Sequence, residues 1–206
     1  MSRTHVRAGE SARTAGWRVW RVVRTDEDQM AALASTERQF IWSDRSVRAR
    51  CLPPRDHFGV SDWYRSHRKT PDHAPPAVVC GCGIHAYWAE ADALDDATLG
   101  RGTLRAVGQV ELSERMLETE AGVRAEAARI VGPVWLVGEC GHSSGDRLDC
   151  GNVATIAVET FVLRCSEHSA AGQVDAEQVI WSLCQQLESR YQVEVVSALT
   201  SSERHD

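Results

Sequence analysis

Six of the seven cysteines fall into two groups with histidines beside them, and that placement constrains the fold more than any other feature. The first group is Cys51, Cys80 and Cys82, with His57, His67, His73 and His85 nearby. The second is Cys140, Cys150 and Cys165, with His142 and His168. If either group binds an ion, the chain must bring residues far apart in sequence to one point. The first twenty residues hold no continuous apolar run, and the longest elsewhere, around Ile130 to Gly138, is far short of the ~20 residues a membrane span needs. The thiols are therefore expected in a cytoplasmic, reducing setting, where a disulfide framework is rare and metal binding is the better reading.

Thiolates separated by one residue in an extended segment project to the same side, so Cys80 and Cys82 can reach one ion at Zn–S distances of ~2.3 Å. The glycines of Cys80-Gly81-Cys82-Gly83 permit a tight knuckle. Cys51 and one imidazole would complete a tetrahedron, and His73 is the preferred histidine because it lies in the irregular, proline-rich approach to Cys80. The plain alternative is that Cys51 is only a buried thiol, since free cysteine is among the most buried residue types.

In the second group, Cys150-Gly151-Asn152 and, after a β-rich run, Cys165-Ser166-Glu167-His168 resemble the latter part of a zinc ribbon of the Cys-x2-Cys-Gly type closed by Cys-x2-His. The chain departs from that pattern at the first ligand, because Arg147 stands three residues before Cys150. Cys140 or His142 would have to supply the fourth ligand. Two structural zinc ions are thus the expected cofactors, each coupling binding to folding by as much as ~10 kcal/mol. Cys184 is left over and falls on the apolar face of a helix, as a core residue.

Catalytic patterns fare less well. Gly141-His142-Ser143-Ser144-Gly145 matches the G-x-S-x-G elbow, with Asp149 or Asp175 and His168 as partners for Ser143, but the elbow requires a helix immediately afterwards. The next residues, Asp146 to Asn152, carry loop formers and no amphipathic period. His-x-Glu with Pro-Cys-x-x-Cys, G-x-G-x-x-G and the P-loop are all absent. The enzymatic alternative is a redox thiol at Cys80 or Cys82, or a serine-hydrolase-type use of Ser143.

Charge is unevenly distributed. Residues 1–69 carry 14 Arg+Lys against 8 Asp+Glu, and residues 70–206 carry 9 against 21; Lys69 is the only lysine. An arginine-rich front half suits contacts to phosphate or carboxylate, and nucleic acid or another protein is the expected partner. The competing reading is that the two halves neutralise each other internally. Of the seven tryptophans, Trp17, Trp20, Trp88, Trp135 and Trp181 lie in apolar runs and read as core. Trp42 and Trp63, flanked by Arg45, Arg48, Arg50, Arg65 and Arg68, read as the place to look for a binding surface.

Alternation over Gly16–Val23 predicts a strand with Trp17, Val19 and Arg21 on one face and Trp20 and Val22 on the other. A turn or helix start is expected at Asp26–Asp28, irregular chain over Leu52–Pro76, and a short helix or polar loop over Ala89–Leu99. Further strands are predicted at Val107–Leu112, Val134–Val137, Val153–Leu163 and Val193–Val196. Over Ser113–Ile130, Glu, Ala, Arg and Leu favour helix while Gly122 and the alternation Val123, Ala125, Ala127 favour a hairpin turning near Glu120-Ala121-Gly122, which is the preferred reading. The clearest helix is Ala176–Tyr191, where Val179, Ile180, Leu183, Cys184, Leu187 and Tyr191 repeat at helical spacing. These elements make an α+β fold: a disordered tail over 1–15, a β-dominated front module over 16–132, a zinc-ribbon-like hairpin with a C-terminal helix and strand over 133–196, and a tail beyond.

The runs Gly16-Trp17-Arg18-Val19-Trp20, Ala49-Arg50-Cys51, His73-Ala74-Pro75, Cys80-Gly81-Cys82-Gly83-Ile84-His85-Ala86 and Gly122-Val123-Arg124-Ala125-Glu126-Ala127 together resemble a family of small actinobacterial proteins with a Cys-x-Cys-Gly-Ile motif. The resemblance spans about residues 16–130. It implies no activity, but it implies that Cys51, His73, Cys80 and Cys82 belong together.

Overall fold

The computed structural model describes residues 5–7, 13–36, 40–51, 73–78, 80–99, 103–138, 156–157, 163–164 and 176–198. In chain order the elements are β1 (His5–Arg7), β2 (Thr14–Arg24), β3 (Ala31–Ser35), β4 (Ser46–Arg48), β5 (Ile84–Tyr87), α1 (Glu90–Leu99), β6 (Arg105–Glu118), β7 (Gly122–Val137), β8 (Ile156–Ala157), β9 (Leu163–Arg164), α2 (Ala176–Tyr191) and β10 (Val195–Ser197). The fold is α+β with the sheet dominant.

The β6–β7 hairpin is the spine. Its turn falls at Thr119-Glu120-Ala121, where both the backbone N–H and the hydroxyl of Thr119 donate to the Gly122 carbonyl (2.8 and 2.9 Å). The pairing runs from Arg105↔Val137 to Glu118↔Val123, with irregularities at Gly108/Val110 and Ser113/Met116. Pro133 lies opposite the first of these, where a strand tolerates a missing N–H. Glu114 sits in the second with φ of 69°.

Strand β2 pairs with β6 and, over one residue pair, with β5, while β5 pairs with β7. Because β6 also pairs with β7, these four strands form a closed ring. The second edge of β7 is shared end to end: β5 takes residues 122–125, β4 takes 127–129, and β10 runs parallel to 134–136. The boundary expected after residue 132 falls inside β7.

The two faces of β2 are as the alternation predicts. Trp20 and Val22 enter the main core with Leu33, Trp42, Val110, Leu112, Ile130 and the apolar stripe of α2 (Ile180, Leu183, Leu187, Tyr191). Val19 faces α1, packing on Ala93, Ala97 and Val107 with Trp17 alongside. Helix α1 resolves the choice over Ala89–Leu99, and its first-turn Glu90 and Asp92 complement the positive end of the helix dipole.

Helix α2 covers β3. The Tyr191 hydroxyl accepts from Leu33 N–H (2.8 Å) and donates to the Trp42 carbonyl (2.7 Å), and Gln186 Oε1 accepts from Ala31 N–H (2.8 Å). Cys184 is half-buried against the same core. The turn at Asp26–Asp28 is tied to α2 by the Asp28–Arg190 ion pair.

Three tryptophans correct the sequence reading. Trp42 is not at the surface: it is fully buried, edge-on to Trp20 at 5.3 Å between ring centroids, an arrangement worth about 0.5–1.5 kcal/mol beyond its area. Trp181 is 62 % exposed on the outer face of α2. Trp88 is also exposed, and its indole N–H donates to the Thr119 carbonyl at 2.9 Å. In the expected Val153–Leu163 strand, Ile156↔Arg164 and Ala157↔Leu163 are antiparallel partners, so the run folds back on itself, with α2 packed against β8. No helix among the described residues is long and apolar enough to cross a membrane.

Candidate metal centre

The junction of β4 and β5 on β7 brings the first cysteine group together. Both strands run antiparallel to β7, so the C-terminal end of β4 and the N-terminal end of β5 meet opposite residues 125–127. Ala49 N–H still donates to the Glu126 carbonyl (2.7 Å), which aims the next residues, Arg50 and Cys51, at the start of β5. On the other side Cys80 N–H closes a turn onto the Ala77 carbonyl (3.2 Å), and Cys80 and Cys82 are buried while Gly81 between them is exposed.

Gly83 then turns the chain into β5 with φ of 112°, in the left-handed region that favours glycine, and a Cβ there would lie 2.9 Å from the Pro76 side chain. Beyond that turn Ile84 and Ala86 face the core and His85 faces outward, edge-on to Tyr87 at 5.6 Å. That alternation keeps His85 out of the cluster.

The ligand atoms of Cys51, His73, Cys80 and Cys82 all lie within 4.8 Å of one another. Cys51 Sγ and Cys80 Sγ are 3.7 Å apart, and His73 Nε2 is 3.2 Å from Cys82 Sγ. A disulfide would hold its sulfurs at about 2.05 Å. A regular tetrahedron with Zn–S bonds of about 2.3 Å has S···S edges of about 3.8 Å, so the sulfurs stand at the spacing of two corners of a coordination tetrahedron. The cluster can hold a metal ion.

Its electrostatics without an ion are those of thiols competing for one negative charge. Burial opposes ionisation of Cys80, but hydrogen bonds from Cys82 N–H, the Cys82 and Cys51 thiols and His73 outweigh it and draw Cys80 down to about 7. Burial, reinforced by the neighbouring Cys80 charge, pushes Cys51 up to about 12 and raises Cys82 as well. A divalent cation removes that competition by accepting all three thiolates.

Arg124 is the contributor that sequence reasoning missed. From β7 its Nη1 donates to the Cys80 carbonyl and, at 3.4 Å, to that of Cys82. Three thiolates, an imidazole and a divalent ion leave one net negative charge, which the guanidinium offsets. The sequence does not distinguish Arg124 from Arg129 of the same strand, and the β5–β7 register, His85↔Arg124, is what puts it beneath the knuckle.

Cys140, His142, Cys150, Cys165 and His168 lie outside the described residues. So do Ser143, Asp149, Asp175, His57, His67 and Trp63. The described cysteines, Cys51, Cys80, Cys82 and Cys184, are all free thiols. No family model, curated protein or solved structure matches the chain.

Proposed function

We propose that the chain is a zinc-stabilised, non-enzymatic binding module, with one structural zinc held by Cys51, His73, Cys80 and Cys82. The observation that carries this reading is the spacing of the four ligand atoms, with a sulfur–sulfur separation of 3.7 Å. Four protein ligands fill a tetrahedral zinc and leave no open position for substrate, which separates a structural site from a catalytic one. The location has a mechanical purpose. Cys51 follows β4 and Cys80 precedes β5, so an ion bonded to both ties two positions 29 apart in sequence to one point.

A second structural zinc is proposed on Cys150, Cys165 and His168, with Cys140 or His142 as fourth ligand. Ligand spacing supports it, together with the antiparallel β8–β9 ladder, which folds the chain back between Cys150 and Cys165. The partner we propose is nucleic acid or another protein, through the arginine-rich front half.

Metal analysis of the purified chain tests the reading: close to two zinc ions per chain is expected, and a value near zero overturns it. Slow alkylation of the zinc-loaded protein at Cys80 and Cys82 is the second expectation, and fast labelling there favours a redox thiol instead. Nucleic acid should be retarded at low salt and released as salt rises, as counterion release requires.

A further inference from the structure

Beside the metal centre the wall of the sheet opens. On its edge away from β6, β2 pairs with Tyr87 of β5 at Trp17 and then with Ser35 of β3 at Trp20. A cleft of ≈ 330 Å³ enters between these pairings, next to Arg18 and Val19. Gly81, Cys82 and Gly83 of the knuckle form one wall, so the same turn that carries two metal ligands shapes the cleft.

Three guanidinium groups line it, Arg18, Arg50 and Arg105, against one carboxylate, Asp96. Arg18 is the deepest, 7 % exposed, with its Nη1 donating to the His85 carbonyl and its guanidinium 5.4 Å from the Trp42 ring centroid and 6.0 Å from that of Trp20. These contacts hold a positive charge at the back of the cleft in a fixed orientation. Arg105 is half-buried, and its Nε is shut off from solvent with no hydrogen-bond partner among the described residues. Burial, aided by Arg21 across the ladder, works against the Arg105 charge, and Asp96 only partly supports it. Arg50 stands exposed at the rim, one residue before the ligand Cys51.

We infer that this cleft is a binding site for a phosphate monoester carried by a small organic molecule. Three guanidiniums less one carboxylate leave two positive charges, the complement of a phosphoryl dianion, and planar guanidinium forks pair with phosphoryl oxygens through two parallel hydrogen bonds. Phe40, Tyr87 and Leu99 supply apolar surface for the organic part, and the volume is at the small end of ligand sites. The site gives the binding module proposed above a small-molecule ligand.

Calorimetric titration of the full-length, zinc-loaded protein with inorganic phosphate at constant ionic strength tests this. One phosphate per chain is expected, with affinity weakened at least ten-fold by Arg105→Gln, abolished by Arg50→Gln with Arg105→Gln, and unchanged by Arg48→Gln, whose guanidinium pairs with Glu114 and Glu126 instead. The zinc content of these variants should equal that of wild type, which separates failure of the cleft from failure of the metal reading. In the unmodified chain, phosphate should slow modification of Arg50 and Arg105 by phenylglyoxal, a readout that needs no variant to fold. No saturable binding, or binding that survives the double substitution, overturns the proposal. Succinate binding more tightly than phosphate overturns the phosphoryl assignment, and an unphosphorylated oligonucleotide competing as well as phosphate reassigns the cleft to a nucleic-acid backbone.

Discussion

Cys80 carries the negative charge of the metal-free cluster, and this makes its chemistry distinguishable from that of the other thiols. With its pKa drawn down to about 7, it is about half thiolate at neutral pH, while Cys51 and Cys184 are held up at about 12 and about 11. In chelator-treated protein, iodoacetamide should therefore label Cys80 ahead of the other described cysteines, Cys51, Cys82 and Cys184, at a rate that falls as pH drops below about 7; peptide mapping that finds Cys184 labelled ahead of Cys80 would contradict this assignment. Gly83 is the second position where one atom matters. Gly83→Ala forces an L-residue to φ of 112° with its Cβ against Pro76, and a loss of about 1–3 kcal/mol is expected on denaturant melting, along with weaker metal retention. The Cys-x-Cys spacing made two ligands legible without a structure. Cys51 and His73 were expected beside them, His73 from its place in the proline-rich approach to Cys80, but what joins Cys51 to the pair, the abutment of β4 and β5 on β7, was not legible.

Among the elements, α2 was the most legible, since an amphipathic stripe repeats over four turns between polar faces. The hairpin turn at Glu120 was legible through Gly122, where any Cβ would meet the Ala86 carbonyl oxygen at 2.2 Å. Strand β3 escaped sequence reasoning for a physical reason. Ala31-Ala32-Leu33-Ala34 is buried on both faces and has neither alternation nor β-branched residues, so its strand state comes from β2 and α2 rather than from its own preference. Trp42 misled because arginines flank it, yet Arg45 turns to the Ile130 carbonyl and Arg48 to Glu114 and Glu126. The Tyr191 hydroxyl stitches β3, Trp42 and α2, and burial raises its pKa, keeping it protonated and able to donate. Tyr191→Phe should cost about 2–3 kcal/mol in chemical denaturation, because Leu33 N–H and the Trp42 carbonyl lose their buried partner. A cost under about 0.5 kcal/mol would show that water replaces it.

Across the whole molecule the charge asymmetry is partly consumed internally. Arg13 and Arg48 of the basic half meet Glu111, Glu114 and Glu126 of the acidic half, and Arg190 answers Asp28 in the opposite sense. The metal centre acts at the same scale, because it joins two strands that neighbour each other only through β7. Closing a loop of this length is worth about 3–4 kcal/mol in chain entropy, so chelation should lower the melting temperature by roughly 10 °C and zinc should restore it. An unchanged melting curve would mean that the sheet holds the junction without an ion. The most direct test of the account is the zinc content of wild type and of Cys82→Ala, purified alike and measured by native mass spectrometry with elemental analysis. The account predicts that the substitution removes one zinc per chain and leaves any second ion in place; equal zinc in both proteins, or none in wild type, would contradict it.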